Sequence, residues 1–362
     1  MSRMDEKLGR IRAGRYTKSD FIIADAKDAD MGSGATGLGP RRDAQGAALG
    51  WRNRAEFIEQ IEAVIRDDQV DIMLVSASIL ERLHARKAFA DSNIQPAIRA
   101  NDATDCWGAI RHSNYAHHPS RPFRSANLAQ VMYGKRDPDP QDAITGTDLG
   151  LYSVTFVNDL DLDLRAQHEY ARFRDEAGAL GFRHFLEVFN PNVKTAMDTR
   201  AMGEFVNDCI LRCLAGVMQM DRPQFLKMPY NGPRAMDELA SFDPTLVVGV
   251  LGGGAGTTRD AFELVAQAER YGARLALFGR KINLAESQEQ MIRHLRRVVQ
   301  GDLSPAEAVR SYHSEIGKLG LAPLRPLDED IDVTEAPLRE GAAIAAKVHA
   351  GPGAAPRAAA VT

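Results

Sequence analysis

Cysteine is scarce in this sequence, with only Cys106, Cys209 and Cys213 among 362 residues. Three cysteines cannot build the disulfide framework that stabilises many small secreted domains. Cys209 and Cys213 lie four residues apart on a predicted helix, which is also a spacing for half of a metal site. Because no histidine or cysteine partner follows at ligand spacing, the sequence favours packing of both thiols in the core.

Long apolar runs and a strong charge of either sign are also absent. No run reaches the roughly 18 apolar residues of a transmembrane helix, and residues 1–15 are too charged for a signal peptide. The formal net charge of −4 indicates no general affinity for nucleic acid. We therefore expect a cytoplasmic protein that binds neither membranes nor nucleic acid.

Apolar residues make up 44% of the chain, and eight short apolar segments predict strands, mostly separated by helical patterns. The predicted strands cover 21–25, 71–76, 96–100, 152–157, 182–189, 225–228, 245–251 and 274–278. Strands that alternate with helices form parallel sheets. Eight such units in about 300 residues favour a closed (β/α)8 barrel, the TIM barrel, over an open doubly wound sheet.

The barrel is predicted to cover residues 19–321, after a polar, basic surface arm at 1–18. Within it, residues 101–148 are a long polar connection with one short helical pattern near 124–134, typical of a functional loop or lid. Residues 322–362 form a C-terminal extension. From about residue 339 its Ala, Gly and Pro content predicts a disordered tail.

Lys227 lies in the apolar segment 225–228, which Pro229 ends. A buried lysine is costly unless its surroundings serve it, and burial favours loss of its proton. At pH 7 only about one ordinary lysine in 2500 is neutral, a cost of about 4.6 kcal/mol. Because a neutral amine condenses with carbonyl groups, the sequence predicts a Schiff-base lysine here.

Functional residues of such barrels lie at the C-terminal ends of the strands. Glu187, one strand from Lys227, is placed to move protons during carbinolamine formation and carbon–carbon cleavage. Lys27 is a nearby cation that would lower the pKa of the amine, and Asp25 and Arg99 also end strands. Two plainer interpretations stay open: Glu187 as an inward carboxylate paired with a base, and Asp25 as a turn or cap residue.

A glycine-rich loop after the seventh strand, residues 252–258, opens a helix. Its backbone N–H groups and the positive end of the helix can hold a phosphate, and barrels often bind phosphate after strands seven and eight. Arg280, after the eighth strand, adds charge-assisted hydrogen bonds. The alternative is a flexible turn between strand and helix.

Several short segments carry a family resemblance: Phe185-Leu186-Glu187-Val188, Leu226-Lys227, the glycine-rich turn, Gly279-Arg280, and Ala24-Asp25 with Lys27 after it. Together they resemble the class I aldolases of the tagatose-bisphosphate and deoxyribose-phosphate aldolase superfamily, over roughly residues 20–321. The resemblance implies a TIM-barrel lyase that needs no cofactor or metal. The site residues that it implies are catalytic Lys227, Glu187 and Asp25, and phosphate contacts at Gly253, Gly254 and Arg280.

We therefore expect an aldolase, a homo-oligomer, that acts on a small phosphorylated sugar or hydroxy-ketone, with Lys27 and Arg99 also binding substrate. Two positions depart from the family: Thr155 stands where tagatose-bisphosphate aldolases have a lysine, and Phe189 lies near the tyrosine of archaeal-type fructose-bisphosphate aldolases. Both changes favour a different sugar or sugar-acid substrate.

Two other functions compete with this hypothesis. One is a metal-dependent barrel lyase or isomerase that uses His112, His117 and His118. The other is a sugar-phosphate-binding barrel without catalysis.

Overall fold

The computed structural model describes residues 2–104, 106–254 and 256–349, and its largest sheet has eight strands. They are β1 (Ile22–Lys27), β2 (Ile72–Val75), β3 (Gln95–Arg99), β4 (Leu149–Thr155), β5 (Arg183–Phe189), β6 (Leu226–Lys227), β7 (Gly249–Leu251) and β8 (Leu275–Phe278). Neighbouring strands pair in parallel in the order β6-β5-β4-β3-β2-β1-β8-β7. Each overlaps a predicted segment.

Hydrogen bonds between β6 and β7 close the ring. The Leu226 N–H donates to the Val247 carbonyl at 2.8 Å, and the Met228 N–H donates to the Gly249 carbonyl at 3.1 Å. Met228 and Val250 also form a parallel bridge. The sheet is therefore a (β/α)8 TIM barrel, which confirms the predicted fold over the open sheet.

Helices surround the barrel and cover its ends. They are α1 (Arg3–Arg12), α2 (Arg54–Asp67), α3 (Ala77–Ala85), α4 (Leu128–Tyr133), α5 (Leu160–Leu180), α6 (Thr199–Leu214), α7 (Pro233–Phe242), α8 (Thr258–Arg270), α9 (Arg280–Asn283), α10 (Gln288–Gln300), α11 (Pro305–Lys318), α12 (Leu327–Asp330) and α13 (Ala336–His349). Within the described ranges, every helix is too short or too polar to span a bilayer.

Side chains of the strands alternate between the barrel interior and the surrounding helices. The interior holds Ile22, Ala24, Ile72, Leu74, Ala97, Leu149, Leu151, Phe185, Phe225, Leu275 and Leu277. The outer layer holds Ile23, Met73, Val75, Ile98, Tyr152, Val154, Leu186, Val188, Leu226, Val250, Ala276 and Phe278. Because successive residues of a strand point to opposite faces, the position of a polar residue decides which layer it enters.

The predicted N-terminal arm is instead the helix α1, which packs against the start of the barrel. Met4 and Leu8 are buried with the interior side chains, and Ile11 packs beside them. Arg3 and Lys7 form ion pairs with buried Asp71, just before β2, each at 2.9 Å. The three apolar residues recur at helical spacing among charges, so low overall hydropathy concealed an amphipathic helix.

The long connection at 101–148 contains α4, the short helix that its pattern predicts. It also contains an antiparallel pair, Asp102–Ala103 with Pro122–Phe123. A second small hairpin joins Pro40–Arg42 to Ala48–Trp51 beside the barrel.

The C-terminal extension is ordered beyond the predicted limit, because α13 continues through residue 349 rather than giving way to disorder near 339. Leu338 is 1% exposed, and its carbonyl accepts a hydrogen bond from the Gln267 amide at 2.8 Å. Alanine has the highest helix propensity, so an alanine-rich stretch continues a helix whose first turn is docked. The rest of the predicted tail, residues 350–362, lies outside the described residues.

Candidate active site

Three polar side chains lie in one row across three neighbouring strands. Ser153 on β4 is the register partner of Glu187 on β5, and Glu187 is the register partner of Lys227 on β6. Each comes two residues after an inward apolar residue of its own strand, so all three point into the barrel. They sit at or near the C-terminal ends of the strands, where function is expected.

Lys227 and Glu187 are in direct contact through Nζ and Oε1. Lys227 is 6% exposed and Glu187 is 1% exposed. The structure therefore brings together the amine and the carboxylate that the sequence assigned to proton transfer. A shielded amine within reach of one carboxylate oxygen is the arrangement that this chemistry requires.

Arg99 holds the second oxygen of that carboxylate. Its guanidinium donates to Glu187 Oε2 at 3.3 Å, to Ser153 Oγ at 2.8 Å and to Asp28 Oδ2 at 2.5 Å. Ser153 Oγ donates to Glu187 Oε2 at 2.7 Å. Asn101 fixes the backbone of Ser153 by donating to its carbonyl at 2.8 Å. Glu187 is thus held from one side while Oε1 faces Lys227.

The charges of this network compensate each other inside the barrel mouth. Burial disfavours the Arg99 cation, but Asp28 and Glu187 outweigh that effect and raise the pKa of Arg99. Burial likewise opposes ionisation of Asp28, but Arg99 and Lys227 lower its pKa. Arg99 was predicted to bind substrate, and in the structure its Nε, Nη1 and Nη2 each donate to a protein group. Its position fits the orientation of Glu187 and Asp28 better.

Asp25 and Lys27 lie away from this network, in contrast to the expectation from the sequence. Both lie on the same face of β1 as Ile23, which packs in the outer layer, and both are fully buried. Lys27 Nζ lies 3.1 Å from Asp25 Oδ2, so the two groups form an ion pair. Among the described residues, neither the amine nor the carboxylate has a partner with hydrogen-bonding geometry. Burial dominates both groups, raising the pKa of Asp25 and lowering the pKa of Lys27.

Asp28 is the first-strand carboxylate that reaches the network, and the prediction missed it. It follows Lys27 at the end of β1, where the inward residues Ala24 and Ala26 are small. Because alanine is small, these two residues do not show from the sequence which face of β1 points inward. Counting by twos from Ile22 would have placed Asp28 on the inward face and Asp25 on the outward one.

Asp102 is a further carboxylate at the barrel mouth, close to the charged side chains of Arg99, Asp28 and Asp30. It is 3% exposed, and its Oδ1 has no hydrogen-bond partner among the described residues. Burial raises its pKa to about 6, with Asp28 and Asp30 adding to the rise and Arg99 opposing it. Asp102 is therefore a mouth carboxylate that carries a proton at mildly acidic pH.

The loops after β7 and β8 contact each other, and a carboxylate of the C-terminal extension lies beside them. Arg280 donates to the Gly253 carbonyl at 3.1 Å. A Cβ built on Gly253 would lie 3.5 Å from both carboxylate oxygens of Glu335, and one on Gly254 would lie 3.7 Å from one of them. The predicted phosphate contacts thus surround a carboxylate of the C-terminal extension.

The histidines of the long connection do not gather into a metal site. Across residues 2–104, 106–254 and 256–349, the structure contains no group of three or more His, Cys, Asp or Glu side chains positioned to hold a metal ion. His112 has a positive φ of 67°, which places it in a turn.

The barrel has the fold of Schiff-base aldolases. An archaeal fructose 1,6-bisphosphate aldolase superposes with a TM-score of 0.56 at 16% identity, over 82% of this chain and 99% of the other. A Schiff-base-forming fructose-1,6-bisphosphate aldolase gives 0.57 at 16% identity, over the same shares. Cgl0159 of Corynebacterium glutamicum gives 0.54 at 18% identity, over 83% of this chain and 98% of the other. No protein-family model and no curated protein matches the sequence.

Proposed function

We propose that this protein is a class I aldolase, a lyase that makes or breaks a carbon–carbon bond through a Schiff base on Lys227. The observation that carries the proposal is the buried contact of Lys227 with Glu187 at the inward ends of β5 and β6. The fold of the superposed aldolases supports it. A buried amine is costly unless its surroundings use it, and here it meets a proton acceptor at the ends of the strands, which supports a chemical role.

The first half of the reaction builds the iminium. Glu187 Oε1 takes a proton from the Lys227 ammonium, and the neutral Nζ attacks the carbonyl carbon of the substrate. The attacking nitrogen gives up one proton and the carbonyl oxygen takes one up, so that a neutral carbinolamine with a hydroxyl group forms. Glu187 then returns a proton to that hydroxyl, water leaves, and the carbon–nitrogen double bond forms.

The second half breaks the carbon–carbon bond. As the β-hydroxyl of the substrate gives its proton to Glu187, the electron pair of the adjacent carbon–carbon bond moves into the iminium, an aldehyde leaves, and an enamine remains. Protonation of the enamine carbon and hydrolysis release the ketone and restore Lys227. Arg99 and Ser153 keep Glu187 Oε1 directed at the reacting atoms by binding Oε2.

The chemistry of the site supports a carbonyl substrate, and two of the superposed structures are fructose 1,6-bisphosphate aldolases. We assign a small sugar or hydroxy-ketone with a carbonyl that Lys227 can reach. A phosphorylated substrate is consistent with those enzymes, and a phosphate at the β7 and β8 end would lie next to Glu335.

Borohydride trapping tests the proposal. The protein is incubated with a panel of hydroxy-ketones and sugars, with and without phosphate, then reduced, and the intact mass is measured. We expect an adduct of one substrate mass, less one oxygen, on the native protein and on Lys194→Met, a control at an exposed lysine. Lys227→Met should give none. A folded Lys227→Met protein that still traps substrate to the native extent would refute the assignment.

A further inference from the structure

The C-terminal extension is built onto the loop that begins α8. Thr257 Oγ1 donates to the Asp332 carbonyl at 2.7 Å, and the Thr258 N–H donates to Asp330 Oδ1 at 2.7 Å. In return, the Thr334 N–H donates to Asp260 Oδ1 at 2.7 Å. These bonds, with buried Leu338 of α13, fix residues 330–338 across the N-terminus of α8.

The groups under this segment are those that hold anions in other proteins. The N-terminus of α8 carries a partial positive charge and N–H groups that the helix itself cannot bond. In this structure Asp260, Asp330 and the Thr257 hydroxyl accept three of the N–H groups around it. Arg280 lies against Gly253, and Lys281 Nζ donates to the Gly256 carbonyl at 3.1 Å. Burial and the nearby Asp260 raise the pKa of Glu335, and the Gly254 N–H, Arg280 and Lys281 oppose that rise.

Two carboxylates of the extension use these groups. Asp330 accepts the first N–H of α8, that of Thr258. The Glu335 carboxylate lies beside the loop after β7: both of its oxygens are 3.5 Å from the position where Gly253 would carry a Cβ, and one is 3.7 Å from that of Gly254. The backbone N–H of Gly254 favours the charged form of this carboxylate. A second anion placed here would lose the N–H donors and face two negative charges.

We propose that Glu335 is a specificity-determining residue that fills the anion site after β7 and β8, so that the enzyme selects substrates without phosphate at this end. The inference rests on the proposed aldolase function. It explains why the extension packs against the start of α8 and the glycine-rich loop before it. The group that reaches this end of the site is a hydroxyl or another uncharged group.

The test compares two probes that differ only in the phosphate, dihydroxyacetone and dihydroxyacetone phosphate. The rate of borohydride trapping is measured for each on the native protein, Glu335→Gln, Glu335→Ala and Glu340→Ala, the last removing an exposed carboxylate of the same segment. We expect the native protein and Glu340→Ala to favour the unphosphorylated probe by at least about tenfold, since like charges brought together are strongly disfavoured. Both Glu335 variants should shift that ratio toward the phosphate by about tenfold or more.

Binding of inorganic phosphate, followed by calorimetry, separates this inference from the aldolase proposal. Phosphate should bind the Glu335 variants and not the native protein, whether or not either probe is trapped. If no probe is trapped but this difference appears, the aldolase proposal fails and the occupied anion site stands. Preference of the native protein for the phosphorylated probe, or phosphate binding that is unchanged in folded Glu335→Gln, would overturn the inference.

Discussion

Lys227 and Lys27 are both strand lysines beside a carboxylate, and they lie on opposite sides of the barrel wall. Lys227 faces inward with Glu187, whose other oxygen is bound by Arg99 and Ser153. Lys27 faces the helices with Asp25, and both are fully buried. One pair belongs to a hydrogen-bonded network at the barrel mouth. The other lies in the outer layer, where Asp28, Arg52 and Glu289 act on it through their charges.

The difference shows that the face of the strand from which a lysine projects, rather than its residue type or burial, decides whether it can reach a substrate in the barrel mouth. Burial favours the neutral forms of both Lys27 and Asp25. A lowered lysine pKa is often taken as a sign of a nucleophile, but here it marks a residue that packs against helices. The catalytic candidate is the one that shares an inward row with a proton acceptor.

Replacing each lysine should give the largest difference in turnover between the two pairs. Lys227→Met should lower turnover by more than about 10³-fold, because the nucleophile is lost. The double variant Asp25→Leu/Lys27→Met, which removes the outer pair without leaving a single charge, should keep turnover within about fivefold of the native rate. Steady-state kinetics with the substrate found by trapping measures both. Loss of turnover in the folded double variant would place the outer pair in the reaction.

Removal of the inward carboxylate should have the next largest effect. Glu187→Gln keeps the shape but cannot accept a proton, so turnover should fall by about 10²–10⁴-fold, the usual contribution of a general acid–base group. The matched control is Glu176→Gln, a more exposed carboxylate paired with Arg124. A Glu187→Gln rate within about threefold of native would remove Glu187 from the mechanism.

Breaking the outer pair should affect stability rather than chemistry. Lys27→Met leaves Asp25 buried without a partner. Because burial already favours the neutral form of Asp25, the free energy of unfolding should fall by about 1–3 kcal/mol, the cost of an unsatisfied buried polar group. Asp25→Leu/Lys27→Met should regain most of that loss, because no unsatisfied polar group remains. Urea unfolding followed by circular dichroism measures both. Equal stability of the single and double variants would mean that the pair is not coupled.

The smallest effect concerns pH and the mouth carboxylate Asp102. Its pKa is about 6 in the folded protein, against 3.8 for an ordinary exposed aspartate, so the folded state binds the proton more tightly than the unfolded chain does. Its contribution to stability is thus fully present below pH about 4 and is lost as pH rises through about 6. The unfolding free energy of the native protein minus that of Asp102→Asn should fall over this range. A difference that does not change with pH would contradict the assignment.

Much of the fold could be predicted because buried strands leave apolar runs that a single sequence displays. Lys227 and Glu187 were found for the same reason, since each interrupts such a run near its end. Asp28 was missed because Ala24 and Ala26 do not mark the inward face of β1. Glu335 could not be found at all, because its contact with the β7 loop joins segments far apart in the chain.

Peptide mapping of the borohydride-trapped adduct tests the central claim most directly, since it lets the two lysines compete in one molecule. The account predicts that the modified peptide contains Lys227 and that the peptide with Lys27 keeps its unmodified mass. An adduct on Lys27, or one spread over exposed lysines with Lys227 unmodified, would contradict it.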